Sequence, residues 1–326
     1  MDLALFFMVV MGASILAYVV LDGYDLGVGM LMPAATQDEQ QFMVSSIAPF
    51  WDANETWLVL GIGVLLAAFP KAHGVVLTAL YLPVVAMLVS LMLRGVAFEL
   101  RVKAKGWHRD LWDWLFWAGS FGASFWQGVM LGRYITGFAS GFGYWIFAFV
   151  TGASLCGGYV LLGATWLVYK TDGELQRKAR AWCRWGLLWV ALAFGLVSLG
   201  TPLVSDTVRE KWFDFPTTLW VMILPIATAV IWFTLWRAVR PGHHWKRDWL
   251  PYVMAVAIFT LAFLGLAYSI FPYVVIDKLT IWEAAAHPTG QRALLLGTVI
   301  VLPFIVAYTI LSYRIFGGKA AKKLYE

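Results

Sequence analysis

Apolar runs long enough to cross a membrane recur along the whole chain, separated by short polar connections. The first, Leu3 to Leu21, holds no charged side chain in 19 residues. A spanning helix needs about 20 mostly apolar residues rising 1.5 Å each. That length predicts nine transmembrane helices, near 3–30, 51–70, 74–98, 113–133, 143–169, 185–204, 216–236, 249–272 and 293–313. An outer-membrane barrel would instead show alternating segments of about ten residues, and the pattern has none. The first run has no basic stretch before it and continues into Asp22 without a small-residue cleavage site. It is therefore expected to be the first helix and not a signal peptide. The expected fold class is an all-α integral membrane protein, with 1–326 as a single polytopic domain.

Composition strengthens this reading. The chain is 61% hydrophobic and 13% charged, with a mean hydropathy of +0.74, against roughly 45–50% and 25% in soluble domains. Lys and Arg collect in loops that stay cytoplasmic, and here they concentrate after the third, fifth and seventh predicted helices and in the tail. Examples are Arg101 to Arg109, Lys170 to Arg184, Arg237 to Arg247, and Arg314 to Lys323. Those four segments hold 17 of the 24 basic residues, which predicts an outer N-terminus and a cytoplasmic C-terminus. Loop 31–50 has no Lys or Arg, so the orientation rests on the other inside segments. The net charge of +5 follows from these loops and gives no reason to expect a nucleic-acid partner.

Acidic residues appear where a bilayer should exclude them. Asp22 and Asp25 lie in Leu21-Asp-Gly-Tyr-Asp-Leu-Gly-Val-Gly29, and Asp52 and Glu55 in Trp51-Asp-Ala-Asn-Glu-Thr-Trp57. An ionised carboxylate near the bilayer centre costs about 2.5–3.5 kcal/mol on insertion scales, so one retained there usually has a partner or a task. Residues 56–70 alone would extend only about 22 Å, so the second helix must begin near Trp51 to cross. Both acidic pairs have i,i+3 spacing, which puts each pair on one helix face. Arg94 and Glu99 return to the same level on the third helix. Gly23, Gly27 and Gly29 supply the small-residue spacing that lets another backbone approach closely. Two readings stay open: a structural ion-pair network, or a proton-conducting cluster in which one Arg cannot neutralise four carboxylates and some exchange protons.

Other chemistry is thin. Cys156 and Cys183 have no metal or disulfide spacing. His73, His108, His243, His244 and His287 all fall in connections or at segment ends, which argues against intramembrane haem or metal ligands from this chain. The pair His243-His244 reads as a solvated loop. Most of the 19 tryptophans flank the apolar runs, as interfacial anchors do. Trp51 and Trp57 bracket the acidic string and are candidates for more.

At these residues the chain resembles subunit II of the cytochrome bd-type ubiquinol oxidases, including their cyanide-insensitive branch. The matching strings are Leu21 to Met30, Ser46 to Trp57, Ala67 to Pro70, Arg94 to Glu99, Trp112 to Trp114 with Gly119 to Phe121, and Phe271-Pro272 with Thr280 to Glu283. The resemblance implies two related subunits in a bacterial cytoplasmic membrane, each with two four-helix bundles and a peripheral helix. It implies that subunit I carries two b-type haems and a d-type or third b-type haem, oxidises quinol and reduces oxygen to water. Subunit II carries no haem in that family; some members bind a structural quinone there, and a small accessory subunit is compatible with the group. Asp52 matches a carboxylate on a cytoplasmic proton route, with Asp22, Asp25, Glu55 and Arg94 as neighbours, and Trp57 matches a residue near the oxygen access route. Glu55 stands where some members have Gln, and the outer connection between the sixth and seventh helices is short for the group. Rival readings are a purely structural assembly subunit and a proton-coupled transporter. The transporter reading expects paired broken segments in both halves, yet the Asp22 to Gly29 string has no second copy.

Overall fold

Long apolar helices dominate the computed structural model, which describes residues 2–215, 217–241 and 247–320. Helix α1 (Leu3–Leu31) begins at Asp2, whose carboxylate accepts from the Leu5 N–H at 3.1 Å. A short polar helix, α2 (Gln37–Ile47), is opened by a reciprocal capping box between Thr36 and Glu39. Helix α3 (Trp51–Ala68) meets α4 (Pro70–Ala79) at a bend of 120°. Pro70 has no N–H to continue α3 and its fixed φ suits the start of a new helix. Next come α5 (Tyr81–Lys103), α6 (Trp107–Ile135), α7 (Phe142–Lys170) and α8 (Gly173–Val204). The chain continues through α9 (Asp206–Phe213), α10 (Thr217–Val221), α11 (Ile223–Ala238) and α12 (Leu250–Ile270). A small antiparallel hairpin, β1 (Tyr273–Val275) with β2 (Leu279–Thr280), leads through α13 (Ile281–Ala284) to α14 (Pro288–Ile315).

Six described helices are long and apolar enough to cross a membrane: α1, α5, α7, α8, α12 and α14. The bent pair α3 and α4 makes a seventh if it is taken as one span, and α11 is a shorter apolar helix. The expected segments differ from these elements in instructive places. The expected third segment, 74–98, runs across a break at Leu80 that divides α4 from α5, because an uncharged run does not reveal a change of direction. The expected seventh, 216–236, divides into α10 and α11 and begins at Pro216, outside the described residues. Helix α8 begins at Gly173, well before the expected 185, since its charged first turns are helical though not apolar.

Packing groups α1, α3, α5 and α6 on one side and α7, α8, α11 and α12 on the other, joined where α7 lies against α1 and α6. Helix α14 is peripheral and touches α3 and α1. The connections collect at two ends. At one, Lys178 pairs with Glu39 (2.9 Å), Arg180 with Asp248 (3.2 Å), and Lys319 with Asp248 (2.8 Å) and Asp172 (3.2 Å). At the other, Trp282 donates to Asp2 (2.8 Å), Tyr134 to the Val274 carbonyl (2.6 Å), and the Ala286 N–H to the Ala68 carbonyl (2.8 Å). The first of these ends carries Lys178, Arg180 and Lys319, the second the hairpin.

Candidate functional site

The C-terminal half of α1 is sealed by protein along its whole circumference, and every residue from Asp22 to Gly29 is buried. Backbone contact makes this possible. A Cβ on Gly27 would stand 1.8 Å from the Tyr159 carbonyl oxygen of α7, and one on Gly163 would meet Gly27 at 2.4 Å. A Cβ on Gly23 would meet the Tyr159 ring at 2.8 Å, and one on Gly29 would meet the Ser120 hydroxyl of α6 at 2.2 Å. The small residues therefore draw α1 into the junction of the two helix groups, as close-packing glycines do in lipid.

Helix α5 is brought up by the same device, since a Cβ on Gly119 of α6 would meet the Arg94 backbone N at 2.7 Å. The Arg94 side chain, 1% exposed, bridges two helices. Its Nη1 is 2.8 Å from Asp22 Oδ1 and its Nη2 is 2.9 Å from Glu55 Oε1. Both are charge contacts outside good hydrogen-bond angles. The guanidinium also lies over the Trp51 ring at 5.8 Å. Asp22 is wholly buried, whereas the Glu55 side chain is 30% exposed. Removing ions from water costs several kcal/mol each, and only close opposite charges repay it. One guanidinium facing two carboxylates, with a third close by, leaves acid groups in excess.

Asp25, 1% exposed, is that third carboxylate and pairs differently. Asn54 Nδ2 donates to its Oδ2 at 2.7 Å, and lies 3.0 Å from the Tyr24 hydroxyl and 3.2 Å from the Leu21 carbonyl. Tyr313 of α14 donates to Asn54 Oδ1 at 3.2 Å, and the Tyr24 and Tyr313 hydroxyls are 2.7 Å apart. Above Asp22, the Tyr18 hydroxyl accepts from Gln127 Nε2 (2.8 Å), and Tyr159 donates to Gln127 Oε1 (2.8 Å).

The structure thus brings together Asp22, Asp25, Glu55 and Arg94, but not every residue expected with them. Asp52 is exposed on the first turn of α3, three residues before Glu55, and Glu99 is exposed further along α5. Trp57 is buried, and its indole N–H has no partner among the described residues. Asn54, Tyr24, Tyr18, Gln127 and Tyr313 were not singled out by the sequence reading. A search for charged side chains within apolar runs passes over amides and hydroxyls, and Tyr313 is 289 residues from Tyr24. Among the histidines, His73 lies on α4, His108 stacks on Trp107 in the first turn of α6, and His287 caps α14. The pair His243-His244 is outside the described residues. Among the described residues no three His, Cys, Asp or Glu side chains form a metal-sized group.

Comparison with known proteins extends this picture. The family model for cytochrome bd terminal oxidase subunit II matches residues 3–316. The chain is 27% identical to cytochrome bd-I ubiquinol oxidase subunit 2 of Escherichia coli K12, over 97% of this chain and 94% of that one. It is 29% identical to cytochrome bd ubiquinol oxidase subunit 2 of Bacillus subtilis, over 93% and 92%. Its fold is similar to a chain of the bd oxidase from Geobacillus thermodenitrificans, with a TM-score of 0.81 at 17% identity over 97% and 99% of the two chains.

Proposed function

The chain belongs to the family of cytochrome bd terminal oxidase subunit II, and on that premise we propose that it gives the oxidase a route for protons from the cytoplasmic side. As subunit II of a membrane-bound respiratory oxidase it has subunit I as its partner. In the proposed arrangement nine crossings in the bacterial cytoplasmic membrane leave the N-terminus outside and the C-terminus inside. The partner binds the haems, two b-type and a d-type or third b-type, where quinol is oxidised and oxygen reduced to water. This chain contributes no redox centre. Its described histidines lie at helix ends or on the short α4, which supports that division.

The observation that carries the proposal is Arg94 held between Asp22 and Glu55 with Asp25 beside them. Exposure falls along this group, from Asp52 on the surface through the part-exposed Glu55 to the buried Asp22 and Asp25. A proton taken up at Asp52 passes to Glu55 and on to the excess carboxylates, because the single guanidinium leaves them room for it. Trp57 lines the proposed oxygen access. Drawing protons from inside while quinol oxidation releases them outside separates charge without a pump, and each charge moved stores about 2.3 kcal/mol per 100 mV.

A second reading, a structural ion-pair network that only holds the subunits together, draws on the same paired Arg94. Asp52→Asn separates the two. We expect the purified two-subunit complex to keep its haem content and to consume oxygen more slowly at saturating quinol. Unchanged turnover removes Asp52 from the mechanism and favours the structural reading. Haem bound by this subunit expressed alone, through its own side chains, overturns the division of labour.

A further inference from the structure

We infer that Asn54 and Tyr313 are positioning residues for Asp25: a closed ring of hydrogen bonds through Tyr24 fixes the Asn54 amide, which holds one oxygen of Asp25 and leaves the other free. The inference rests on the proposed acid route and adds to it the inner end of the peripheral helix α14.

Proton accounting closes the ring. A tyrosine hydroxyl has one proton to give. Tyr313 gives its proton to Asn54 Oδ1 at 3.2 Å, so in the 2.7 Å contact between the two hydroxyls Tyr24 is the donor. The Tyr24 oxygen then accepts from Asn54 Nδ2 at 3.0 Å, sharing that hydrogen with the Leu21 carbonyl at 3.2 Å. The same nitrogen donates to Asp25 Oδ2 at 2.7 Å. A flipped amide would aim Oδ1 at the Asp25 carboxylate, acceptor against acceptor, and Nδ2 at the hydroxyl proton of Tyr313. The ring therefore selects one orientation of Asn54. Packing holds its members in place, since Tyr24 stacks on Trp166 at 4.1 Å and Tyr313 on Phe50 at 4.6 Å.

The consequence falls on the other oxygen. Asp25 Oδ1 is buried with no hydrogen-bond partner among the described residues, which makes it the atom where this carboxyl gains or loses a proton with no other bond changed. The titratable and charged groups around Asp25 are Asp22 and Tyr24 of α1, Glu55 of α3, Arg94 of α5, Tyr252 of α12 and Tyr313 of α14. Of the ring's three members, α14 supplies only Tyr313, so a peripheral helix reaches the acid cluster through a single hydroxyl.

The test uses the assembled, haem-loaded oxidase carrying Tyr313→Phe, Tyr24→Phe, Asp25→Asn, and Tyr313→Phe combined with Asp25→Asn. Each Phe variant keeps its ring stack and removes one hydroxyl. We expect either to lower kcat by about two- to tenfold, the effect of one lost hydrogen bond on a rate, with KM for quinol unchanged. The infrared carboxyl band that Asp25→Asn abolishes should shift in both Phe variants, and the combined variant should be no slower than Asp25→Asn alone. If Tyr313→Phe fails to assemble, Tyr24→Phe opens the same ring and gives the same readouts. Asp25→Asn slow while both Phe variants keep wild-type kcat and band overturns the positioning role and leaves the acid route standing. Full additivity in the combined variant also overturns it. Wild-type turnover in Asp25→Asn defeats the acid route instead, while a shifted band in the Phe variants still upholds the geometry.

Discussion

Replacing Gly27 with alanine probes the close approach on which the whole cluster depends. The added Cβ would sit 1.8 Å from the Tyr159 carbonyl oxygen and 2.9 Å from the Gly163 nitrogen, where ordinary contacts begin at 3.4 Å. Both obstacles are backbone, so no side-chain rotation relieves them. Helices α1 and α7 must separate by roughly 1.6 Å, and a gap of only 0.5–1 Å already forfeits a quarter to a half of a dispersion contact. The neighbouring contacts loosen together, including Tyr24 stacked on Trp166 at 4.1 Å and Gly23 against the Tyr159 ring. Overpacking typically costs about 1–3 kcal/mol, and a backbone clash with no soft neighbour belongs at or above the top of that range. The assay is the fraction of purified oxidase that remains a haem-containing two-subunit complex after heating, read by size-exclusion chromatography. Gly63→Ala and Gly195→Ala are the controls, because a Cβ at either meets nothing within 4 Å. These two should be neutral or stabilising by about 0.4–1 kcal/mol through the unfolded state, so Gly27→Ala should melt well below them and Gly27→Leu should fail to assemble. Equal melting of Gly27→Ala and the controls would refute the close-packing argument.

Arg94→Leu leaves Asp22 and Glu55 facing each other without a cation; losing one partner of a buried pair costs about 3–5 kcal/mol, so the yield of assembled complex should collapse. Arg94→Lys should restore little of it, because a single ammonium cannot reach both carboxylates as the two guanidinium nitrogens do at 2.8 and 2.9 Å; a wild-type yield from the Lys variant would contradict the bridge. At the end of the bundle that holds Lys178 and Lys319, burial works against the Asp248 carboxylate, but hydrogen bonds from Lys319 and Gln176 and the charges of Lys319 and Arg180 hold it below its ordinary value of 3.8. That contribution is complete above the ordinary value and disappears as pH falls through the lowered one. Asp248→Asn should therefore reduce thermal stability at neutral pH by less than about 1 kcal/mol for so exposed a pair. The difference from wild type should close in the most acidic buffers, and a difference independent of pH would exclude the ion pairs as its source.

Much of the architecture is legible in the residues themselves, because a membrane imposes one strong rule. Backbone groups in lipid must be satisfied within a helix or a closed barrel, so apolar length alone marks the long helices and charge marks their cost. Arg94, Asp22, Asp25 and Glu55 stood out for that reason. The spacing of Gly23, Gly27 and Gly29 announced a close approach without naming what approaches.

The rest depended on how separate stretches meet. Only the packed structure shows that Gly23 and Gly27 receive α7 while Gly29 receives α6, and that Asp22 and Asp25, one turn apart, have different partners. It also leaves Asp52 exposed, although it shares its helix turn with Glu55. A three-residue step on a helix is 60° short of a full turn, enough to turn one carboxylate to Arg94 and its neighbour to Asn54. Asn54, Tyr24 and Tyr313 gave no signal along the chain, since amides and hydroxyls carry no charge and their partners lie on other helices. Local sequence determines which segments become helices and which side chains are costly to bury. Which of them touch is decided by tertiary packing, because contact depends on the rotation and crossing of helices far apart in the chain.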